Sequence, residues 1–261
     1  MSDAGPLIVE RKGGVVSLRF NRPAVLNAIN AEMAEAIAKA VAEARADSGV
    51  RCMIISGEGR AFMAGGDVAT FHAAGTEAPA EIKRLIGPLH EALAQMAEAP
   101  FPVIASIRGA AVGGGFSVAL AADVAIAADD AQFAHGYTKI GASTDCSGSW
   151  NLPRLVGLRR ALGLALLEDT IDAQTALSYG LVNRVVPAET LEAETWKMAN
   201  RLAAGSATAL ARTKALMRAS SGRDLRSQLD AEREAFLAGA ATPDFAEGAS
   251  AFVERRKPNF S

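Results

Sequence analysis

Two glycine-rich turns, each entered from an apolar strand-like run, constrain this chain more than any other feature. The first reads Ala61-Phe62-Met63-Ala64-Gly65-Gly66-Asp67 and follows Cys52-Met53-Ile54-Ile55-Ser56. The second reads Gly109-Ala110-Ala111-Val112-Gly113-Gly114-Gly115 and follows Pro102-Val103-Ile104-Ala105-Ser106-Ile107. Glycine strips side chains from a strand-to-helix corner, where backbone N–H groups without intrahelical partners face a ligand. Two such corners, converging, clamp one oxygen between two N–H donors, which is the architecture of an oxyanion hole.

The surrounding sequence alternates strands with helices. Val15-Val16-Ser17-Leu18-Arg19-Phe20 reads as a strand turned by Asn21-Arg22-Pro23. Asn30 is the expected N-cap of a helix over 31–46, with Met33, Ile37, Ala40 and Val41 on one face. A helix over 79–97 should stop before Pro100 and Pro102, and a helix from Gly114 is followed by a strand over 123–127. Residues 66–81, rich in glycine and alanine, read as a mobile loop. This alternation predicts an α/β fold with buried strands.

From Arg159 onward the pattern turns helical, with one strand candidate over 182–186. Asp172 caps a helix, and longer helices are expected over 191–204, 207–219 and 223–238. Pro243 opens a last one running to 255. The expected division is a core domain over 1–195 and a helical region over 196–261.

Composition removes several functions. The 261 residues are 50% hydrophobic, enough for one large core, and the net charge of −2 gives no bulk attraction to nucleic acid or anionic membrane. The two cysteines, Cys52 and Cys146, have no metal-ligand spacing and suit a reducing cytoplasm. The polar start, Met1 to Pro6, does not read as a signal peptide. The most apolar stretch, 103–128, is interrupted by Arg108, Asp123 and glycines, so it reads as core and not as a membrane span.

The ordered series Asn21-Arg22-Pro23, Leu26-Asn27-Ala28, Phe62-Met63-Ala64-Gly65-Gly66-Asp67 and Gly113-Gly114-Gly115 resembles the crotonase (enoyl-CoA hydratase/isomerase) superfamily. It continues through Gly141, Leu152-Pro153-Arg154, Ala176, Gly180-Leu181-Val182 and Val185-Val186, so the resemblance spans the chain. It implies a spiral of ββα repeats with a helical C-terminal region used in forming trimers or hexamers. The implied substrate is an acyl-CoA thioester whose oxygen is stabilised as an enolate. No separate cofactor and no metal are implied, since coenzyme A is part of the substrate.

Carried over by position, the oxyanion donors would be the N–H groups of Ala64 and Gly114. Each such donor contributes roughly 2.7–4 kcal/mol to transition-state stabilisation. Ala24, Leu26, Gly66, Asp67 and Val68 would line the CoA path. Hydratases of the superfamily hold water between two glutamates, and those positions read Ser117 and Tyr137 here. Neither hydroxyl is an effective base near neutral pH. Asp145 stands where several isomerases of the superfamily carry a single catalytic acid, and one carboxylate suffices to take a proton and return it elsewhere. The stretch Leu229-Asp230-Ala231-Glu232-Arg233 … Glu247-Gly248-Ala249-Ser250-Ala251-Phe252 is similar to the epoxyphenylacetyl-CoA isomerase branch. The favoured reading is therefore an enoyl-CoA isomerase.

Other readings remain open at this level. Asp145 is also a natural helix N-cap ahead of Ser147-Gly148-Ser149. His90, with Asp145, resembles the pair of the 4-chlorobenzoyl-CoA dehalogenases, in which the aspartate is a nucleophile. Enoyl-CoA hydration and a non-catalytic acyl-CoA- or RNA-binding relative are further alternatives. Gly115-Phe116-Ser117-Val118-Ala119 misses the serine-hydrolase elbow at its last position, and no histidine follows His135. Tyr137 either hydrogen-bonds within the acyl pocket or packs. His72 and His135 are expected in loops or at the surface. Arg255, Arg256 and Lys257 read as a solvated helix end or as a contact to a neighbouring subunit's CoA.

Overall fold

A computed structural model describes residues 5–260, so most of the start read at Met1 to Pro6 lies outside the described residues. β1 (Leu7–Lys12) folds back on β2 (Val15–Phe20), followed by α1 (Ala31–Ala46), β3 (Cys52–Gly57), α2 (Val68–Ala73) and α3 (Ala78–Glu98). Next come β4 (Val103–Ile107), β5 (Ala110–Val112) and α4 (Gly114–Ala121), then β6 (Val124–Ala128), β7 (Gln132–Ala134) and α5 (Gly148–Val156). They are followed by α6 (Leu158–Leu167), β8 (Ile171–Asp172), α7 (Ala173–Ser178) and β9 (Arg184–Val186). The last four helices are α8 (Leu191–Ala203), α9 (Ala207–Ala219), α10 (Leu225–Ala240) and α11 (Pro243–Val253).

The large sheet runs β1-β2-β3-β4-β6-β9, parallel except for the β1–β2 pair. A smaller sheet runs β5-β7-β8, and Met63 bridges onto it at Ala111. Each turn of chain thus gives one strand to the large sheet, a short stretch to the small one, and then a helix. This is the expected spiral of ββα units in an α/β fold.

The strands are apolar on both faces because both faces are covered. On one side Leu18, Met53 and Ala105 meet Met33, Ile37 and Val41 of α1 and Leu89, Leu93 and Met96 of α3. On the other, Val15, Ile54, Ile104 and Ile126 meet Leu191, Met198 and Ala199 of α8. The helical spacing of those residues is what presents one apolar stripe to the sheet. Asn30 caps α1 by accepting from the Met33 N–H at 3.0 Å, as expected. Helix α9 is tied to the core by the Lys214 ammonium, 2.8 Å from an Asp123 carboxylate oxygen and from the Met96 carbonyl oxygen.

Several expectations change. Residues 66–81 are not a simple loop: Asp67 caps α2 through the Thr70 N–H at 3.2 Å, and α3 begins at Ala78. The division at 195/196 falls inside α8, whose apolar face packs across the large sheet. Strand β1 carries no apolar signal in its second half, where Glu10-Arg11-Lys12 is charged and Arg11 and Lys12 are exposed at the sheet edge. Asp145 is not a helix cap, since α5 starts after Ser147 without a side-chain cap.

Asn27 locks the first glycine corner in place. It is fully buried, its side-chain oxygen accepts from the Arg22 N–H at 2.9 Å, and its amide donates to the carbonyls of Ala61 at 2.8 Å and Glu58 at 3.0 Å. Replacing it leaves these backbone groups unsatisfied. Asn27→Ala is expected to lower unfolding stability by about 3 kcal/mol in urea denaturation. An unchanged midpoint and slope would contradict that role.

Candidate active site

The two glycine corners meet through the Met63 peptide. Its N–H donates to the Ala110 carbonyl at 3.0 Å, and its carbonyl accepts from the Val112 N–H at 3.0 Å. A Cβ on Gly115 would collide with the Met63 carbonyl oxygen, so this helix start admits only glycine. Gly113, at φ 55° and ψ −122°, turns the chain from β5 into α4 in a conformation reserved for glycine. A Cβ placed on Gly65 would stand 3.4 Å from the Gly114 nitrogen, which measures how closely the corners approach.

Which N–H groups face this junction follows from the hydrogen bonds. Ala64, expected as a donor, does not offer its N–H: that group donates to the Leu26 carbonyl at 3.0 Å. Two residues on, the chain pairs with Ile29, whose N–H and carbonyl engage Gly65 and Asp67. That pattern leaves the Gly66 N–H with no protein acceptor among the described residues. The Gly114 N–H, at the first position of α4, likewise has none, and the helix dipole adds positive potential there.

The remaining expected residues of this corner separate by exposure. Ala24 and Val68 are exposed and Leu26 is half-buried. Asp67 is buried, and its carboxylate is held by Arg22 at 2.9 Å and by the Thr70 N–H. Burial alone would raise that carboxyl, but Arg22 and Thr70 outweigh it and hold it below its ordinary range.

Asp145 lies on the loop that precedes α5, beside the second corner. A Cβ on Gly114 would stand 3.6 Å from the sulfur of Cys146, the next residue. One Asp145 carboxylate oxygen is 2.6 Å from His90 Nε2, and the other accepts weakly from the Cys146 thiol at 3.5 Å. His90 comes from α3, so its meeting with Asp145 is a product of the fold and not of local sequence. The Asp145 side chain is 27% exposed.

Ser117 and Tyr137 face each other with their hydroxyls 3.0 Å apart, and the Tyr137 hydroxyl donates to the Asp145 backbone carbonyl at 3.0 Å. The carbonyl can only accept, so the phenol proton goes there and Ser117 donates to the phenol oxygen. Tyr137 therefore hydrogen-bonds as well as packs. Burial pushes its phenol up, which keeps it a donor at neutral pH. Burial pushes the Cys146 thiol up too, with the Asp145 charge adding to it, so it is no thiolate nucleophile. Ser117 is 2% exposed and engaged with Tyr137, which leaves the hydrolase-elbow reading without a base. Among the described residues no group of three His, Cys, Asp or Glu side chains is placed to hold a metal ion.

The Enoyl-CoA hydratase/isomerase family profile matches residues 10–261. The chain belongs to the enoyl-CoA hydratase/isomerase family. It is 36% identical to the 1,2-epoxyphenylacetyl-CoA isomerase of Escherichia coli (strain K12) over 253 residues, covering 95% of each chain. It is 32% identical to 4-chlorobenzoyl coenzyme A dehalogenase-2 of Arthrobacter sp, covering 94% of this chain and 89% of that one. A crystal structure of an enoyl-CoA hydratase from Polaromonas sp. JS666 superposes with a TM-score of 0.94 at 35% identity, over 98% of this chain and 100% of that one. Membership in this family makes the chain an enzyme of acyl-CoA thioesters, and the similar proteins carry isomerase, hydratase and dehalogenase names.

His135, expected in a loop or at the surface, lies in the loop after β7 but is buried. His135 is 4% exposed, with Nε2 2.8 Å from the Thr144 hydroxyl and Nδ1 3.5 Å from a Glu168 carboxylate oxygen. Nothing in the local sequence around 135 or 168 signals this contact, because the two positions meet only when α6 folds back against the 135–138 segment. Arg256, by contrast, is exposed and paired with Glu247 and Glu254, as a solvated helix end would be.

Proposed function

We propose that this enzyme moves the double bond of an enoyl-CoA thioester, with Asp145 as the proton carrier. The N–H groups of Gly66 and Gly114 hold the thioester oxygen. Asp145 removes a proton from the α or γ carbon, the freed electron pair passes into the conjugated system, and negative charge collects on that oxygen as an enolate. The same carboxyl then returns the proton at the other end of the allylic system, so no second acid is needed. The hole acts where charge develops and not on the ground state, which is what lowers the barrier.

The observation that carries this reading is the Ser117–Tyr137 hydroxyl pair. It occupies the two positions where hydratases of the superfamily place carboxylates, and a pair of neutral hydroxyls does not activate water near pH 7. His90 at 2.6 Å steadies the Asp145 carboxylate in one orientation. Similarity to a 1,2-epoxyphenylacetyl-CoA isomerase along nearly the whole chain supports isomerisation further.

A second reading rests on the same His90–Asp145 contact. With a haloaryl thioester, the carboxylate would attack the ring carbon and displace halide, a route favoured by similarity to a 4-chlorobenzoyl coenzyme A dehalogenase. Chloride release from 4-chlorobenzoyl-CoA, in place of double-bond movement in 3-enoyl-CoA substrates, would favour it.

Assembly into trimers or hexamers is part of the proposal. Leu158, Leu162 and Leu166 form an exposed stripe at helical spacing on α6, Leu155 is exposed on α5, and Phe236 and Phe252 are exposed on α10 and α11. Apolar area of that kind marks a contact surface. Analytical ultracentrifugation is expected to give three or six chains per particle, and a monomer at micromolar concentration would refute the assembly.

Asp145→Asn is expected to lower isomerisation of a 3-enoyl-CoA panel by roughly 10²–10⁴-fold with the fold intact. Crotonyl-CoA hydration should be weak in the unsubstituted enzyme. Turnover by Asp145→Asn near the starting rate, or fast hydration, would show that another group carries the chemistry.

A further inference from the structure

Glu168 ends α6 in a left-handed conformation, φ 58° and ψ 30°. This position after a helix is ordinarily taken by glycine or asparagine, because a longer side chain is strained there. The glutamate carboxylate is nonetheless almost fully engaged. One oxygen accepts from the Gly136 N–H at 2.7 Å, and the other accepts from the Thr138 N–H at 3.1 Å and from the Thr138 hydroxyl. The two N–H groups flank Tyr137 on either side, so one carboxylate fixes the peptides around that residue.

Two arms reach from this anchored segment to the loop carrying Asp145. The Tyr137 hydroxyl donates to the Asp145 carbonyl at 3.0 Å. His135, whose Nδ1 faces Glu168 at 3.5 Å, holds the Thr144 hydroxyl at 2.8 Å through Nε2. At 3.5 Å the Nδ1–Glu168 approach is a polar contact and not a hydrogen bond, so the Nε2–Thr144 bond is the directional part of this arm. Burial alone would raise the Glu168 carboxyl; the Thr138 hydroxyl, the two N–H groups and His135 outweigh it and keep it anionic. The loop needs such restraint, because Cys146 and Ser147, directly after Asp145, are both non-glycine residues at positive φ, 53° and 63°.

We infer that Glu168 is a positioning residue for Asp145, acting through Tyr137 on the Asp145 carbonyl and through His135 on the Thr144 hydroxyl. This inference rests on the reading of Asp145 as the proton carrier. Glu168 never touches the reacting atoms; it sets where the carboxylate stands relative to the oxyanion donors. A displacement of about 1 Å at a reacting group is enough to cost roughly a hundredfold in rate.

Glu168→Gly separates this role from a structural one, because glycine is the residue the left-handed backbone favours. The expected result is a loss of roughly ten- to a hundredfold in kcat for 3-enoyl-CoA isomerisation. KM should stay within about twofold, and the thermal midpoint should move by only a few degrees, because the strain relieved at the left-handed position offsets part of the cost of the N–H groups left without an acceptor. Amide hydrogen exchange at Gly136 and Thr138 should accelerate, a readout independent of the reaction. Glu168→Gln, whose side-chain oxygen still accepts a hydrogen bond, should recover part of kcat. An unchanged kcat in Glu168→Gly, a loss tracking a lowered thermal midpoint, or unaltered amide exchange each overturns the inference. Asp145→Asn is measured in parallel: full turnover there removes the reading of Asp145 itself, whereas impaired Asp145→Asn beside an unimpaired Glu168→Gly removes the positioning role alone.

Discussion

The Met63 peptide, hydrogen-bonded on both sides to β5, is the contact on which the site depends. It joins a corner that follows β3 to a corner that follows β4, strands adjacent in the parallel sheet. Parallel strands place their carboxyl ends side by side, so the turns leaving them are neighbours from the outset. The approach is completed by subtraction: Gly115 has no Cβ to strike the Met63 carbonyl, and Gly113 turns the chain where no other residue would. Asn27 secures the outer side of the first corner by taking up the carbonyls of Glu58 and Ala61. Two N–H groups without acceptors among the described residues, Gly66 and Gly114, are what these restraints leave at the junction.

Much of this was legible in the sequence because the signals are local. Asn30, Asp172 and Pro243 mark helix starts by their own chemistry, and the structure places helices after each. The strands read as apolar runs because sheet faces are covered on both sides by α1, α3 and α8. What escaped depends on distant partners. Within Ala64-Gly65-Gly66 the sequence presents several N–H groups in succession, and only the Leu26 carbonyl, itself set by a left-handed residue, decides that Ala64 is taken. The composition of 66–81 suggested a loop, yet Asp67 and the packing of Phe71 against the core stabilise a short helix. His135 and Glu168 carry no motif at all; their meeting depends on where α6 ends.

The site combines a shared component with one particular to this chain. In the proposed reaction the paired corners hold the thioester oxygen, a role that would serve any reaction in which that oxygen gains charge and that fits the isomerase, hydratase and dehalogenase names among similar proteins. The groups around them differ: a hydroxyl pair at Ser117 and Tyr137, and one carboxylate held by His90. Positive-φ residues that are not glycine cluster there as well. Leu26 and Asn27 shape the first corner, Cys146 and Ser147 follow the carboxylate, and Glu168 anchors the segment beneath it. Strain of this kind persists only where surrounding bonds over-determine it, and each of these residues sits within such a set of bonds.

The central claim is that Gly66 and Gly114 together polarise a thioester carbonyl. The most direct measurement is the infrared difference spectrum of a saturated acyl-CoA, carrying ¹³C at the thioester carbonyl, bound to the protein. Saturation prevents turnover, so the spectrum reports the ground-state field of the hole alone. Two N–H donors aimed at the oxygen weaken the C=O bond, and the account predicts a shift of its stretch to lower frequency on binding. A carbonyl frequency in the complex equal to that of the free thioester in water, or higher, would contradict it.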